Sequence, residues 1–351
     1  MIGIRCDANS IIASGHMMRC LTVAKELVRL GESVTFFVAD EESKKAFDKM
    51  AASEMSVVVL GSDWQNMEAE LPVLGKELSA NAIDILLVDS YYATCAYFER
   101  AKELCPVACF DDLHEDTYPV DILINYSGFY KELGYEDAYK DVTGHNGRPT
   151  QLLLGLQYAP LREQFYRAEQ QPEHDDAASV LLASGGADTY GMLLAILEEA
   201  VVQGLMDINW HVVVGALCRD SDAIDVFAAD HPSVHIYKAV SDMARLMRQS
   251  DLAICAAGTM LTECAATELP AIFYQVADNQ KFNVEFFGNI DGMIFAGDVN
   301  ASKDAVIQNI CDKVKALLTG EGELSRMKSA LVGLTDGKGA IRIAQALLGK
   351  L

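Results

Sequence analysis

Residues 1–27 read MIGIRCDANSIIASGHMMRCLTVAKEL, a stretch in which a strand pattern gives way to a helix pattern around one histidine. The first residues are apolar enough for a buried strand, Gly15 permits a tight loop, and apolar residues then recur at helical spacing. Ser14 is a plausible N-cap, which puts His16 in the first helical turn, facing outward where the sheet ends. Ligands of open α/β folds bind at this edge. His16 is therefore a candidate proton acceptor near neutral pH; the alternative is that it only caps or packs the helix end.

The rest of the chain repeats the alternation of strand and helix. In the first half, apolar strands are predicted at 3–6, 33–39, 56–60, 85–89, 107–111 and 122–125. In the second half, one strand starts at 180 and others are predicted at 210–214, 234–237, 252–255 and 271–274. Apolar strands separated by helices predict parallel sheets that are covered on both faces.

The length of 351 residues predicts two domains, because a single core seldom serves so long a chain. We expect a Rossmann-like N-terminal domain over 1–160, a polar linker over 161–177 and a second Rossmann-like domain over 178–351. Alternatively, the last helix packs back on the first domain. Two similar α/β halves joined by a linker place the expected site in a cleft between them.

Composition excludes several classes of function. A net charge of −23 argues against nucleic acid, whose backbone needs a basic surface. No apolar run is long enough to span a bilayer and no secretory signal is visible, so we expect no membrane insertion. The nine cysteines lie in apolar surroundings and show no metal-ligand spacing. They are typical of reduced thiols in a cytoplasmic protein.

Three polar turns in the second half are candidates for phosphate or sugar binding. Gly185 and Gly186 follow a strand and precede a helix, so their backbone could approach a pyrophosphate, although any tight turn can use two glycines. Gly258 opens a helix, Thr259 adds a hydroxyl there, and Glu263 lies one turn later. Glu263 could accept hydrogen bonds from ribose hydroxyls, or it could simply take part in helix capping. Asn279 and Gln280 follow a buried strand, where polar loops are often functional.

Strand ends in the first half also carry polar side chains. Asp89-Ser-Tyr-Tyr92 ends one strand, and Asp111 and Asp112 end another. Since adjacent carboxylates usually point to opposite sides, we expect one aspartate to cap a helix and the other to face the cleft. No matching ligand cluster supports a metal there.

These residues together resemble a known family. Arg5-Cys-Asp-Ala8 with Gly15-His-Met-Met-Arg19 is similar to the N-terminal signature of the UDP-2,4-diacetamido-2,4,6-trideoxy-altropyranose hydrolases of pseudaminic acid biosynthesis. Those proteins are related to MurG-type glycosyltransferases of the GT-B fold. Further similar motifs follow in the family's order: Asp89-Ser-Tyr91, Phe110-Asp-Asp112, Leu154-Gly-Leu-Gln-Tyr-Ala-Pro-Leu-Arg162, Gly185-Gly-Ala-Asp188, Ala257-Gly-Thr259 with Glu263, and Asp278-Asn-Gln280.

The resemblance implies a GT-B-like fold and a hydrolase that needs no metal or cofactor. His16 matches the histidine proposed as general base for water attack at the anomeric carbon with inversion, Tyr91 and Asn279 match substrate positions, and Glu263 a nucleotide position. The other candidate substrate or nucleotide contacts in the matched motifs are Asp7, Gly15, Arg19, Gly185, Gly186, Gly258, Thr259 and Gln280. The implied partner is a small-molecule UDP-sugar, and the oligomeric state stays open.

The chemistry is consistent with one base. Glycosidases generally need two carboxylates because their leaving group must be protonated. A nucleoside diphosphate leaves readily once its charge is stabilised, so one base for water suffices. The alternatives are a GT-B glycosyltransferase or spore-coat polysaccharide enzyme acting on another nucleotide sugar, and a nucleotide-sugar-binding protein without turnover.

Overall fold

The computed structural model describes residues 1–9, 11–12, 15–51, 54–166, 178–320 and 322–350. The chain divides into two compact units, of which the first is Met1–Arg162 with Gly337–Leu351 and the second is Glu163–Asp336. Most of the expected linker, residues 167–177, lies outside the described residues. The last segment of the chain, Gly337–Leu351, belongs to the first unit, which is the alternative that the sequence left open for the last helix.

The first unit is built on seven strands: β1 (Ile2–Cys6), β2 (Val34–Val38), β3 (Ser56–Val59), β4 (Ile85–Asp89), β5 (Val107–Phe110), β6 (Ile122–Asn125) and β7 (Gln151–Leu154). They are parallel, in the order β3-β2-β1-β4-β5-β6-β7. The chain runs outward from β1 to β3 and then returns to place β4 on the other side of β1. The carboxyl ends of β1 and β4 therefore form the topological switch point, where ligands of such folds bind.

Five helices follow these strands: α1 (Gly15–Arg29), α2 (Glu41–Met50), α3 (Leu71–Ala80), α4 (Cys95–Ala101) and α5 (Tyr135–Ala138). Helix α1 buries its apolar face, including Met17, Leu21 and Leu27, in the core on one side of the sheet. Helices α3 and α4 help to form a second core on the other side. The N-cap Thr94 of α4 accepts a hydrogen bond from the Tyr97 amide at 3.2 Å, which defines where the loop after β4 ends.

The second unit has six strands: β8 (Ser179–Ala183), β9 (Asn209–Val214), β10 (Val234–Lys238), β11 (Leu252–Ala256), β12 (Ala271–Gln275) and β13 (Met293–Asp298). They form a parallel sheet in the order β10-β9-β8-β11-β12-β13, so its switch point lies between β8 and β11. Its helices are α6 (Met192–Val202), α7 (Ser221–Asp230), α8 (Met243–Arg248), α9 (Met260–Ala266), α10 (Lys281–Gly288), α11 (Lys303–Thr319) and α12 (Glu323–Leu331).

The last helix, α13 (Gly339–Leu347), packs against α1 and so belongs to the first unit. Its first residue must be small, because a Cβ on Gly339 would lie 2.1 Å from the carbonyl oxygen of Ala159. Arg342 Nη1 donates to the carbonyl of Gln157 at 3.0 Å. The buried face of α13, including Ile343 and Leu347, extends the core around α1.

Candidate active site in the first unit and polar turns in the second

The switch point of the first unit brings His16 and Asp89 together. His16 is the second residue of α1 and Asp89 is the last residue of β4. Imidazole Nδ1 lies 2.5 Å from Asp89 Oδ1, and the two side chains are only 9% and 1% exposed. The expected position at the sheet edge is found, but the expected outward-facing ring is wrong, because the imidazole turns against the buried carboxylate. The predicted N-cap, Ser14, lies outside the described residues.

Asp89 determines which imidazole nitrogen is free. Burial alone would raise the pKa of this carboxyl, but the charge of Arg19 and hydrogen bonds from Arg19 and His16 hold the pKa well below its ordinary value. Asp89 is therefore an anion, and we infer that His16 donates its Nδ1–H to it. In the described parts of the chain Nε2 has no hydrogen-bond partner. The tautomer set by Asp89 leaves a lone pair on Nε2, as a general base requires.

Arg19 binds protein groups rather than being left open for a substrate. Its Nε and Nη2 donate to the two oxygens of Asp89, each at 2.6 Å, and Nη1 donates to Asp112 at 2.8 and 2.9 Å and to the Tyr126 hydroxyl at 2.9 Å. The guanidinium also stacks over Phe110, 4.6 Å from the ring centroid. Burial of the guanidinium acts to lower the pKa of Arg19, but the Asp89 and Asp112 carboxylates raise it well above its ordinary value. In this structure the guanidinium forms a clamp on the two carboxylates, and the predicted direct contact of Arg19 with substrate stays a prediction.

Tyr91 is the exposed member of the cluster. Its ring meets the His16 imidazole edge-on with centroids 4.6 Å apart, its hydroxyl donates to Asp112 Oδ2 at 3.0 Å, and the residue is 60% exposed. Burial of the hydroxyl and the charge of Asp112 raise the pKa of Tyr91, so it stays a neutral donor. A residue so exposed beside the candidate base is well placed to contact a ligand.

Asp111 and Asp112 separate as the sequence suggested. Asp111 accepts the amides of Leu113 and His114 at 3.1 and 2.9 Å and the Tyr135 hydroxyl at 2.9 Å, which fixes a turn rather than the expected helix end. Asp112 faces Arg19 and Tyr91. The adjacent carboxylates thus have one structural and one site-forming role.

Asp7 has a structural environment. Its Oδ2 accepts from Arg5 Nη1 at 2.5 Å, its Oδ1 accepts the Ala39 amide at 2.7 Å, and its side chain is 2% exposed. Arg5 also forms a two-pronged pair with buried Glu70, at 2.7 and 2.9 Å. Asp7 thereby links β1 to the loop after β2, so the candidate substrate contact at this position is occupied by protein groups.

Gly15 begins α1 and has open space around the position of a Cβ.

In the second unit, Gly185 and Gly186 form an exposed turn directly after β8. Gly185 has φ +71°, which favours glycine, and a Cβ on the neighbouring Gly215 would lie 2.3 Å from the Gly186 carbonyl oxygen. Asp188, rather than a bound anion, accepts the first amides of α6, those of Met192 and Leu193, at 2.9 and 3.1 Å. The helix that follows this turn is therefore already capped, so a phosphate here would have to use the turn's own amides.

Gly258, Thr259 and Glu263 lie after β11, across the switch point from the first turn. Gly258 has open space around its Cβ position, and Thr259 is exposed. The alternative role in helix capping is not taken by Thr259, since within the described residues its side chain makes no capping hydrogen bond to α9. Glu263 is partly buried one turn into that helix.

Asn279 and Gln280 differ in their surroundings after β12. Asn279 is exposed, whereas the Gln280 Oε1 accepts the Val276 amide at 2.8 Å and so shapes the loop. Asn283 Nδ2 donates to the Ala257 carbonyl at 3.2 Å and ties this loop to the turn that contains Gly258. The second unit thus collects the predicted polar turns at one edge of its sheet.

Sequence reasoning missed Asp89 as the partner of His16 and Tyr126 as a partner of Arg19. The available signal for Asp89 was an aspartate that ends a buried strand, but its neighbour in the sheet depends on the strand order.

Among the described residues no group of three or more His, Cys, Asp or Glu side chains is arranged to hold a metal ion. No described helix is both long and apolar enough to cross a membrane.

Comparison with solved structures identifies the fold. The crystal structure of MurG from Acinetobacter baumannii matches 99% of this chain and 99% of its own, with a TM-score of 0.70 and 14% sequence identity. The chain has a GT-B fold. A second GT-B structure, Phytolacca americana UGT2 complexed with UDP-2fluoro-glucose and pterostilbene, gives a TM-score of 0.67 over 99% of both chains at 11% identity. The predicted fold class is confirmed.

Sequence comparison finds distant relatives, and no protein-family model matches the chain. The spore coat polysaccharide biosynthesis protein SpsG of Bacillus subtilis is 23% identical over 99% of this chain and 97% of its own length. The UDP-2,4-diacetamido-2,4,6-trideoxy-beta-L-altropyranose hydrolase of Campylobacter jejuni is 22% identical over 74% of this chain and 85% of its own. An uncharacterized protein of Methanocaldococcus jannaschii, MJ1062, is 22% identical over 77% of this chain, which spans about half of that relative (54%).

Proposed function

We propose that this protein hydrolyses a UDP-linked diacetamido-trideoxy sugar to UDP and the free sugar. The observation that carries the proposal is the His16–Asp89 pair, whose buried carboxylate orients the imidazole and leaves Nε2 as the proton acceptor. The distant similarity to the Campylobacter jejuni hydrolase supports this substrate class.

In the proposed reaction, a water molecule attacks the anomeric carbon from the face opposite the UDP. Nε2 of His16 takes one proton from that water as the new carbon–oxygen bond forms, and the bond to the diphosphate oxygen breaks with its electron pair leaving on UDP. The anomeric configuration inverts. A base positioned in this way contributes on the order of a hundred- to ten-thousandfold. Asp89 stabilises the imidazolium that forms, and no second carboxylate is required because the leaving group is already an anion.

The second unit is proposed to bind the UDP. Its glycine turns after β8 and β11 present exposed backbone, and Glu263 is proposed to accept ribose hydroxyls. With a chain charge of −23, long-range steering repels an anionic substrate, so the diphosphate depends on such local donors. The sugar is proposed to lie against Tyr91 in the first unit.

The second candidate is a GT-B glycosyltransferase or spore-coat polysaccharide enzyme acting on another nucleotide sugar. The full-length similarity to SpsG favours it, and the same His16–Asp89 pair would deprotonate an acceptor hydroxyl instead of water. Incubation of the purified protein with the UDP-sugar and no acceptor separates the two. The hydrolase releases UDP under these conditions, whereas a transferase leaves the donor intact.

Two further measurements refine this test. In heavy-oxygen water the label is expected in the free sugar, and label in UDP would contradict attack at the anomeric carbon. A panel of UDP-, GDP- and CMP-linked amino sugars identifies the donor by nucleotide release. Tight UDP binding with no release from any donor in the panel would instead indicate a binding protein without turnover.

We expect Glu263→Gln to weaken UDP binding more than it changes the chemical step. Loss of a hydrogen bond to a charged group costs about 1.5–3 kcal/mol, which corresponds to about a ten- to hundredfold rise in Kd. Calorimetric titration with UDP measures the Kd, and kcat at saturating substrate reports the chemical step. Glu285→Gln, at an exposed position on α10, is the matched control. Equal losses in Kd and kcat would argue for damaged folding rather than a nucleotide contact.

A further inference from the structure

We propose that Arg19 is a positioning residue that competes with the His16 imidazolium for the charge of Asp89 and thereby keeps His16 in the neutral, proton-accepting form. This inference rests on the proposed role of His16 as a base. It assigns to Arg19 control over the base rather than contact with the substrate.

The geometry around Asp89 carries the inference. Both carboxylate oxygens are held by Arg19, with Nε on Oδ2 and Nη2 on Oδ1, each at 2.6 Å. His16 Nδ1 shares Oδ1 at 2.5 Å, and the Cys20 thiol lies 3.4 Å from Oδ2. The carboxylate is 1% exposed, so solvent screens these charges weakly. The buried Asp89 carboxylate is therefore paired with a permanent cation, Arg19, as well as with the imidazole, and the two groups compete for its charge.

The titratable groups around His16 come from several elements. Asp89 ends β4 and Tyr91 comes two residues later, Arg19 and Cys20 lie on α1, and Asp112 follows β5 and is held by Arg19 at 2.8 Å. Asp7, at the end of β1, is paired with Arg5. Tyr91 and Cys20 remain neutral because burial raises the pKa of both. Besides the Asp7–Arg5 pair, the charged groups on the ring or on its partner are thus Asp89, which contacts the ring, and the arginine that Asp89 shares with Asp112.

Removing the Arg19 charge has a predictable sign. An imidazolium at His16 is attracted by Asp89 and repelled by the guanidinium that shares the same oxygen. Without the guanidinium, Asp89 and Asp112 act on the ring unopposed, so the protonated form persists to higher pH. An opposite or like charge at this range shifts protonation by about one pH unit or more.

Arg19 also holds Tyr91 indirectly. Asp112 accepts from Arg19 and from the Tyr91 hydroxyl, while the Tyr91 ring packs against His16. A closed ring of contacts therefore links five side chains, in the order Asp89, Arg19, Asp112, Tyr91 and His16. A neutral residue at position 19 is therefore expected to alter both the charge on the base and the position of the exposed tyrosine.

The test is a histidine NMR titration of the full-length protein, with the His16 signal assigned by its absence in His16→Asn. In Arg19→Met, His16 is expected to take up its proton at a pH about one unit higher than in the unchanged protein. Arg19→Lys keeps the charge and is expected to stay near the unchanged protein. Arg326→Met is the control, since Arg326 forms an exposed pair with Glu323 (59% and 42% exposed). An unmoved titration in Arg19→Met overturns the proposal.

The pH profile of kcat/KM separates this inference from the proposed function. If His16 is the base, the acid limb of the profile in Arg19→Met moves to higher pH with the NMR titration. A moved titration with an unmoved acid limb supports the role of Arg19 and overturns His16 as the base. A uniform loss of rate with neither change assigns Arg19 a structural role only. Arg19→Gln is the second neutral variant, and failure of both neutral variants to fold while Arg19→Lys folds also overturns the proposal.

Discussion

We expect His16→Asn to lower kcat for UDP release by at least about a hundredfold and to leave the Kd for UDP nearly unchanged. Asparagine has no nitrogen that accepts a proton near neutral pH, so the contribution of the base is lost. Its amide can still donate to Asp89, whose buried charge would otherwise lack a donor from this position. UDP binding is expected to persist because the proposed nucleotide contacts, Gly258, Thr259 and Glu263, belong to the second unit.

The measurements are a nucleotide-release assay at saturating donor and a calorimetric titration with UDP. His235→Asn is the matched control because His235 is an exposed residue on β10 of the second unit. Unchanged turnover in His16→Asn would remove this histidine from the mechanism. Loss of UDP binding in parallel with turnover would show that the substitution disturbs more than the chemical step.

Asp89→Asn is expected to lower kcat by at least about a hundredfold, because it replaces the carboxylate that holds Nδ1 of the same imidazole. The low pKa of Asp89 means that the substitution removes a full negative charge at any assay pH near neutrality. An asparagine that keeps Arg19 bound to its oxygen presents its amide to His16, which favours the wrong tautomer. In a Ser-His-Asp triad, the corresponding substitution costs about ten-thousandfold.

The same substitution is expected to lower stability by about 3–5 kcal/mol, since it leaves the buried Arg19 guanidinium without its doubly bonded carboxylate. Denaturant unfolding of the first unit measures this loss, and kcat is compared at a temperature where near-ultraviolet circular dichroism shows a folded protein. Asp48→Asn is the control, because Asp48 forms an exposed pair with Lys44 on α2. A folded Asp89→Asn protein with full turnover would contradict the role given to this carboxylate.

Much of the fold was predictable because its signals are local. Apolar strands followed by helices at regular intervals predicted two parallel-sheet units, and most predicted strands begin or end within two residues of those observed. Strands β7 and β13 were missed. The first has four residues at the edge of its sheet, and the second is an edge strand that contains Gly297 at φ +135° and an irregular register with β12. Such features weaken a strand pattern.

The candidate site was only partly predictable. The position of His16 at the start of a helix followed from glycine and helical spacing. The position of Tyr91 after a strand also followed from the residues, but the substrate role expected of it came from the family resemblance. The roles of Arg19 and Asp7 did not follow, because both side chains are satisfied by carboxylates or amides from distant parts of the chain. An arginine in a motif gives no local sign of whether its partner is a ligand or a buried aspartate.

By itself, the sequence determined the alternation of strands and helices and the presence of a titratable ring at the first strand-to-helix turn. Hydrophobic period and glycine placement act over a few residues, so the chain carries that information locally. Only the tertiary structure decided that β4 lies beside β1, which brings Asp89 to within 2.5 Å of a histidine 73 residues earlier. Strand order depends on how whole sheets bury their faces, and it is this non-local packing that orients the imidazole of His16 against a buried carboxylate.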